Sequence, residues 1–212
     1  MRYRKSNTRP LKTAQRPEGA LRQSFILSGD PIASYANRGK TVCFTGHRVI
    51  SAEMQAILSN RLDDVLRALY ARGYRYFVSG GALGFDMLAA EGVMRLQADY
   101  PDAQLVLALP CGDQSSRWHE RDCRRYERIL YASNETHVLA PTYYTGCMQV
   151  RNRFMVDRAA FCLCYLEHMK GGTVSTVAYA VKEKLPVLNI AMVDACAAFI
   201  KDSPTEDDQP SL

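Results

Sequence analysis

Residues 74–91 have the sequence YRYFVSGGALGFDMLAAE, which passes from a strand pattern through a glycine-rich loop into a helix pattern. The apolar run from Tyr74 to Ser79 predicts a buried strand. A helix is expected from Asp86 to about Asp99, because its apolar residues recur at helical spacing. A strand followed directly by a helix is the first half of a βαβ unit.

The same alternation continues on both sides of this stretch. Five more strands are predicted, at residues 41–45, 104–109, 136–139, 161–166 and 187–190. Further helices are predicted between Ser51 and Gly73 and over residues 116–131, 148–158, 171–184 and 194–201. Strands that alternate with helices indicate right-handed crossovers and a parallel sheet. We therefore predict an α/β, Rossmann-like, doubly wound fold, with a mostly parallel sheet of about six or seven strands and helices on both faces.

The composition is that of a globular protein, but its charge is unevenly distributed. The chain has 212 residues, 47% of them hydrophobic, and a formal net charge of +5. Residues 1–40 contain nine Lys and Arg against two acids, whereas residues 201–212 contain one Lys against four acids. We predict a basic arm at 1–38 that is disordered or loosely docked, a nucleotide-binding domain at 39–200 and an acidic tail at 201–212.

The arm allows three interpretations. We expect a solvated tail, and the alternatives are an organellar transit peptide and an arm that binds polyanions. Its apolar segment, residues 25–27, is a candidate for contact with the body. Self-association of the protein also stays open at this stage.

Several classes of protein are excluded or disfavoured. No run of 18 apolar residues is present, which excludes a spanning helix, and no secretory signal pattern is seen. Seven cysteines, an odd number without a CxxC pair, argue against a disulfide scaffold or a structural zinc site. We expect free thiols, no metal, no cofactor and a cytoplasmic protein.

Three predicted strands end in loops that suit an anion. These loops are Thr45-Gly46-His47-Arg48, the run from Ser79 to Asp86, and Gly171-Gly172-Thr173. A parallel sheet places all three at one edge, where ligands bind in such folds. Glycines and helix N-termini present free N–H groups to phosphate. Neither GxGxxG nor GxxxxGK[ST] is present, which disfavours NAD redox chemistry and a Walker-type NTPase.

Single residues in these loops allow a plain and a functional interpretation. Asp86 is either a partner of the helix dipole or a carboxylate for a ribose hydroxyl. Arg48 is a loop cation or a phosphate clamp, and His47 is expected to be a hydrogen bonder rather than a catalyst. Arg151 and Asn152 can face the ligand edge, because their predicted helix follows a strand end. Glu167 is either a solvated acid or half of an acid–base pair with His168.

Taken in order, five strings resemble one family. They are TGHR (45–48), SGGALGFDMLAAE (79–91), LPCGDQSSRW (109–118), RNRFMVDRA (151–159) and GGTVSTVAYA (171–180). Together they closely resemble the YpsA-like proteins of the SLOG superfamily, which also holds the DprA/Smf and LOG proteins. The resemblance covers roughly residues 40–190. It implies a Rossmann-like fold, a bacterial or phage cytoplasm, and a nucleotide or nucleotide-derived ligand.

The resemblance also implies a set of residues that line the pocket. They are Gly46, Arg48, Gly80, Gly81, Gly84, Asp86, Arg151, Asn152, Gly171, Gly172 and Thr173. Residues 148–155 are similar to the MxxRKxxM pattern of the LOG branch, which looks like phosphoribohydrolases. The glutamate of the PGGxGTxxE motif of that branch is missing after Gly172. Asp86, Glu167 and Arg151 therefore stay candidates for catalysis, and whether the protein is an enzyme stays open.

Three functions are compatible with these residues. The first is binding or sensing of a nucleotide or nucleotide-derived ligand, for which the resemblance suggests a relation to NAD or ADP-ribose. The second is N-glycoside hydrolysis of nucleoside monophosphates. The third is DprA-like binding of single-stranded DNA, with the basic arm contacting phosphates. We rank them in this order. The first needs only the three loops and no catalytic acid, and the third is disfavoured because the body of the chain is nearly neutral and lacks an aromatic-basic run. The resemblance also suggests a homo-oligomer.

Overall fold

The computed structural model describes residues 26–27 and 38–204. The strands are β1 (Ile26–Leu27), β2 (Thr41–Gly46), β3 (Tyr76–Ser79), β4 (Gln104–Leu109), β5 (Glu135–Val138), β6 (Phe161–Tyr165) and β7 (Val187–Asn189). The α-helices are α1 (Ala52–Ala71), α2 (Phe85–Asp99), α3 (Glu120–Ala132), α4 (Cys147–Asp157), α5 (Gly172–Lys182) and α6 (Val193–Lys201). A 3₁₀ turn over Arg38–Lys40 precedes β2.

The strands form one sheet in the order β1-β5-β4-β3-β2-β6-β7, and every pair is parallel. The predicted fold class is thereby confirmed. At one edge, Ile26 pairs with His137 and Leu27 with Val138, so part of the predicted apolar segment joins the sheet. Residue 25, most of the arm and residues 205–212 lie outside the described residues.

Both faces of the sheet are covered by helices. One hydrophobic cluster joins α1, α2, α3 and α6 to side chains such as Phe44 and Leu105, and a second joins α4 and α5 to Cys43 and Val106. Neighbouring residues along a strand point to opposite faces, so both of these faces must be apolar. This explains the continuous hydrophobic strand runs. Each fully buried large side chain contributes about 1.5–3 kcal/mol.

The first helix begins and ends where the sequence predicts. The hydroxyl of Ser51 accepts a hydrogen bond from the N–H of Met54 at 3.2 Å, which is an N-cap. The helix stops before Gly73, whose φ of +88° suits a residue without a side chain. Leu58, Leu62 and other inward residues are buried against the sheet. Local signals therefore placed α1 correctly.

The third helix is shorter than predicted. It begins at Glu120 instead of residue 116, because the preceding residues form turns in which the N–H of Trp118 donates to the carbonyl of Ser115. Acidic residues Glu120 and Asp122 occupy its first turn, where the helix dipole favours negative charge. Trp118 is therefore a loop residue, and its ring packs edge-on against Tyr126 at 5.2 Å.

Within residues 26–27 and 38–204, no helix is long and apolar enough to cross a membrane. All seven cysteines are free thiols, and six of them are buried. This agrees with the expectation of unpaired cysteines. No cluster of three or more His, Cys, Asp or Glu side chains that could hold a metal ion is found in this part of the chain.

Candidate functional site

The three glycine-rich loops lie side by side at the carboxyl edge of the sheet. They follow β3, β2 and β6, which are neighbours in the sheet. Adjacent strands are spaced by about 4.8 Å, so the loops are within contact distance of each other. The expectation that they share one edge is confirmed by this topology.

The loops after β2 and β3 are packed backbone to backbone. Gly84 has φ +80°, and a Cβ built on it would lie 2.4 Å from the carbonyl oxygens of both His47 and Arg48. The N–H of Phe85 donates to the His47 carbonyl at 3.1 Å. A Cβ on Gly46 would lie 2.4 Å from Cβ of Phe85. Both glycines are needed for protein packing.

His47 connects the loop after β2 to the loop after β6. Its Nε2 accepts hydrogen bonds from the N–H groups of Glu167, at 3.0 Å, and His168, at 3.1 Å. Burial and the nearby His168 hold the pKa of His47 below its ordinary value, whereas Glu167 acts in the opposite direction. A neutral imidazole is the form that accepts two such bonds. His47 is therefore the loop hydrogen bonder that the sequence predicted.

A buried ion pair joins the two helical layers above β3. Asp86 lies in the first turn of α2 on one face of the sheet, and Arg151 lies in α4 on the other. Nη1 of Arg151 is 3.4 Å from the Asp86 carboxylate. The two residues are 5% and 4% exposed. The carboxylate also accepts hydrogen bonds from the backbone of Ala82 and Gly80. A Cβ on Gly80 would lie 1.3 Å from Nη1, so only glycine leaves room for the guanidinium.

Burial governs the ionisation of this pair. Desolvation raises the pKa of Asp86, while the Arg151 charge opposes the rise, and desolvation lowers the pKa of Arg151. The ionised form of each side chain is thus stabilised mainly by the charge of the other. Asp86 and Arg151 contact one another, and direct contact of either with a ligand stays a proposal.

Hydrogen bonds extend from this pair to the start of α5. Nε of Arg151 donates to Oδ1 of Asn152 at 2.8 Å, and Nδ2 of Asn152 donates to the hydroxyl of Thr176 at 2.7 Å. That hydroxyl donates to the Gly172 carbonyl at 2.9 Å. Residues from the second, fourth and fifth strings are therefore joined in one network. Sequence reasoning missed Thr176, although it lies one helical turn after Gly172.

Sequence reasoning also missed Gln114, which contacts the Gly80–Gly81 turn together with Tyr126. Nε2 of Gln114 donates to the carbonyl of Gly81 at 3.0 Å and lies 3.4 Å from that of Gly80. The ring of Tyr126 packs on Gly81, and burial raises the pKa of its hydroxyl. Both side chains hold the Gly80–Gly81 turn in position. The only signal for Gln114 was its position in the third string.

The start of α5 is the open part of the site. Gly171 and Gly172 are both exposed, and Gly171 has φ +93°. Apart from chain neighbours and the backbone of α5 itself, no described atom lies within 4 Å of a Cβ built on either residue. Gly171 is the N-cap and has no side chain to occupy the first-turn N–H groups, which have no partner inside a helix. Arg48 is exposed on the neighbouring loop, while Thr173 is buried. This geometry can hold a phosphate.

Of the three catalytic candidates, Asp86, Arg151 and Glu167, only Glu167 is exposed. Its carboxyl hydrogen bonds to the Tyr165 hydroxyl, and burial together with this bond raises the pKa of Tyr165. Asp86 and Arg151, in contrast, are buried against each other. An exposed carboxylate can accept a hydrogen bond from a ribose hydroxyl or act as a base. A carboxylate in a buried ion pair, such as Asp86, cannot do so without losing its partner.

The fold and this edge define a doubly wound, Rossmann-like α/β protein. The profile of the YpsA family, described as the YspA SLOG family, matches residues 45–194. The chain belongs to this family, as the five strings indicated. The matched range lies inside the predicted domain at 39–200.

Related sequences come from bacteria. The chain is 28% identical over 144 residues to a UPF0398 protein of Bacillus licheniformis, covering 65% of this chain and 79% of that protein. It is 27% identical over 145 residues to a UPF0398 protein of Halalkalibacterium halodurans, covering 64% and 77%.

Two solved structures of DNA processing protein A share the fold. The protein from Helicobacter pylori, described for its single-stranded DNA binding mode, has a TM-score of 0.55 and 17% identity over 90% of this chain and 96% of that one. The protein from Streptococcus pneumoniae has a TM-score of 0.51 and 17% identity over 76% of this chain. The chain spans 56% of the length of the pneumococcal protein. At this identity the similarity shows the fold alone.

Proposed function

We propose that this protein binds a nucleotide or nucleotide-derived ligand at the carboxyl edge of its sheet, with a phosphate at the start of α5. The observation that carries the proposal is the open pair Gly171 and Gly172, which begins a helix after β6, while the exposed cation of Arg48 follows the adjacent strand β2. The helix dipole and free N–H groups attract an anion, and the Arg48 charge adds to this attraction.

The buried residues of the edge have a supporting role in this proposal. The network from Asp86 to Thr176 holds the start of α5 in a set position relative to the loop after β3. His47 holds the loop that carries Arg48. A preorganised backbone lowers the cost of ligand binding, because little has to be ordered when the ligand arrives.

The proposal is tested with a pair of variants at Gly172. Gly172→Asp places a negative charge where the phosphate binds, yet an acid in the first turn suits the helix dipole and preserves folding. Gly172→Asn has the same shape without the charge. Melting temperature is measured against AMP, ADP-ribose, NAD, cyclic nucleotides and a short single-stranded DNA. A ligand at about 100 times its Kd stabilises the protein by about 2.7 kcal/mol.

We expect one nucleotide to raise the melting temperature of the wild type and of Gly172→Asn, but not of Gly172→Asp. The proposal is overturned if no nucleotide shifts the wild type, or if Gly172→Asp responds like the wild type. A shift by the oligonucleotide alone supports DNA binding instead.

Hydrolysis of an N-glycosidic bond is the second candidate function. The observation that favours it is the exposed carboxylate of Glu167 beside the same loop. Such a carboxylate can stabilise positive charge on the sugar or activate water. Release of free base from the bound nucleotide, lost in Glu167→Gln while binding persists, separates a hydrolase from a sensor.

A further inference from the structure

Two apolar side chains are almost fully exposed on the loops that border the start of α5. Val49, in the loop after β2, is 90% exposed, and Met169, in the loop after β6, is 78% exposed. A single exposed apolar residue is ordinary on a protein surface. These two residues differ from that case, because their loops follow the adjacent strands β2 and β6 and are hydrogen bonded to each other through His47.

The loop that carries Val49 is held from two sides. Its His47 N–H donates to the Tyr165 carbonyl at 3.2 Å, and its His47 carbonyl accepts from the N–H of Phe85 at 3.1 Å. Val49 lies two residues beyond His47. The backbone two residues before Val49 is therefore fixed by hydrogen bonds.

The loop that carries Met169 is held in a similar way. Nε2 of His47 accepts from the N–H of His168, the residue before Met169. Further back, Oδ1 of Asn189 accepts from the N–H of Leu166 at 3.1 Å, and Nδ2 of Asn189 donates to its carbonyl at 2.8 Å. Side chains on such a braced backbone can bind a ligand without the cost of ordering the loop.

The chemistry of the two side chains suits a flat ring. The thioether of Met169 packs well against aromatic faces, and Val49 is a compact apolar surface. Met169 is two residues from Gly171, which is at most about 7 Å along the chain. A nucleotide with its phosphate at Gly171–Gly172 can therefore place its base near Met169. Arg48, next to Val49, is available to the phosphate or sugar.

We propose that Val49 and Met169 hold the base of the bound nucleotide between two apolar surfaces. This inference rests on the proposed function and extends it to the class of ligand. Contact with the faces of a ring distinguishes a nucleotide from a sugar phosphate. It does not distinguish one base from another, because every base has similar faces.

The test compares AMP with ribose 5-phosphate by isothermal titration calorimetry. The two probes share a sugar and a phosphate and differ in the base. We expect the wild type to bind AMP more tightly, and Val49→Ser/Met169→Ser to weaken AMP binding about tenfold with ribose 5-phosphate binding unchanged. Folding is preserved in the variant, since both side chains are exposed. Val181→Ser, an exposed position on α5, is the matched control and is expected to bind both probes like the wild type.

The outcomes separate this inference from the function on which it rests. If the wild type binds AMP and the double variant binds it equally well, Val49 and Met169 do not form an apolar clamp on the base, while the proposed nucleotide site is still supported. Equal affinity of the wild type for the two probes also overturns the clamp. If the wild type binds neither probe, the inference about Val49 and Met169 is rejected, and the nucleotide panel decides separately whether the proposed function is rejected as well.

Discussion

The carboxyl edge of the sheet contains two kinds of glycine loop. The space next to Gly80 and Gly84 is occupied by the protein itself. Arg151 packs against Gly80, and the carbonyls of His47 and Arg48 pack against Gly84. At Gly172, in contrast, no neighbouring group of the described residues lies within 4 Å of a Cβ built on it. Glycine thus allows close packing in the loop after β3, whereas in the loop after β6 it leaves the backbone accessible. A glycine-rich motif at a strand end is therefore not evidence for a ligand until the space above it is known.

The largest effect on stability is expected from removing Asp86, the buried partner of Arg151. Asp86→Ala leaves the Arg151 guanidinium buried without its carboxylate, which costs about 3–5 kcal/mol in the free energy of unfolding. Asp99, at the other end of α2, is paired with Arg67 on the surface. Asp99→Ala is the matched control, and we expect it to cost less than about 1 kcal/mol.

Urea denaturation measures both variants. A cost for Asp86→Ala as small as that for Asp99→Ala would show that the buried pair does not hold the two helical layers together.

Alanine substitutions at Gly84, Gly171 and Gly172 compare the packed loop after β3 directly with the open loop after β6. Gly84→Ala combines a strained positive φ with a clash against two carbonyl oxygens, so it is expected to cost more than about 3 kcal/mol. Gly171→Ala keeps the strain without the clash and is expected to cost about 1–3 kcal/mol. Gly172→Ala has neither penalty and is expected to be neutral or stabilising by up to about 1 kcal/mol, because alanine favours a helix.

Thermal or urea unfolding of the three variants gives this order. Equal costs for Gly84→Ala and Gly171→Ala would contradict the packing seen at Gly84.

The smallest effect is expected from the pH dependence of the His47 bridge. Its pKa in the folded protein lies below the ordinary value of 6.5, so the unfolded chain binds this proton more readily. The contribution of His47 to stability is therefore complete above about pH 6.5 and is lost as the pH falls below that value. Protonation also turns the acceptor Nε2 into a donor that faces two N–H groups.

The measurement is the free energy of unfolding at about pH 7.5 and about pH 5.5, for the wild type and His47→Gln. Glutamine keeps an acceptor but does not titrate. We expect a smaller loss of stability on acidification in the variant, and an unchanged loss would place the pH dependence elsewhere.

Local signals were sufficient for most of the fold. The apolar runs, the Ser51 cap and the stop before Gly73 placed the strands and α1 within a few residues. The start of α3 was predicted too early, because the apolar Trp118 fits a helical stripe and the turns before it depend on contacts outside the segment. The place of His47 as a hydrogen bonder was predicted, but not its partners Glu167 and His168.

The pattern of strands and glycine loops, read from the sequence alone, was enough to establish a parallel sheet with its candidate loops at one edge. This follows because parallel strands all end on the same side. The pattern could not show which loop is filled and which is open. Asp86 and Arg151 are 65 residues apart and belong to helices on opposite faces, so their contact exists only when both layers pack on β3. The position of Gly172 likewise depends on how α4 and α5 meet, since Asn152 of α4 is linked through Thr176 to the Gly172 carbonyl.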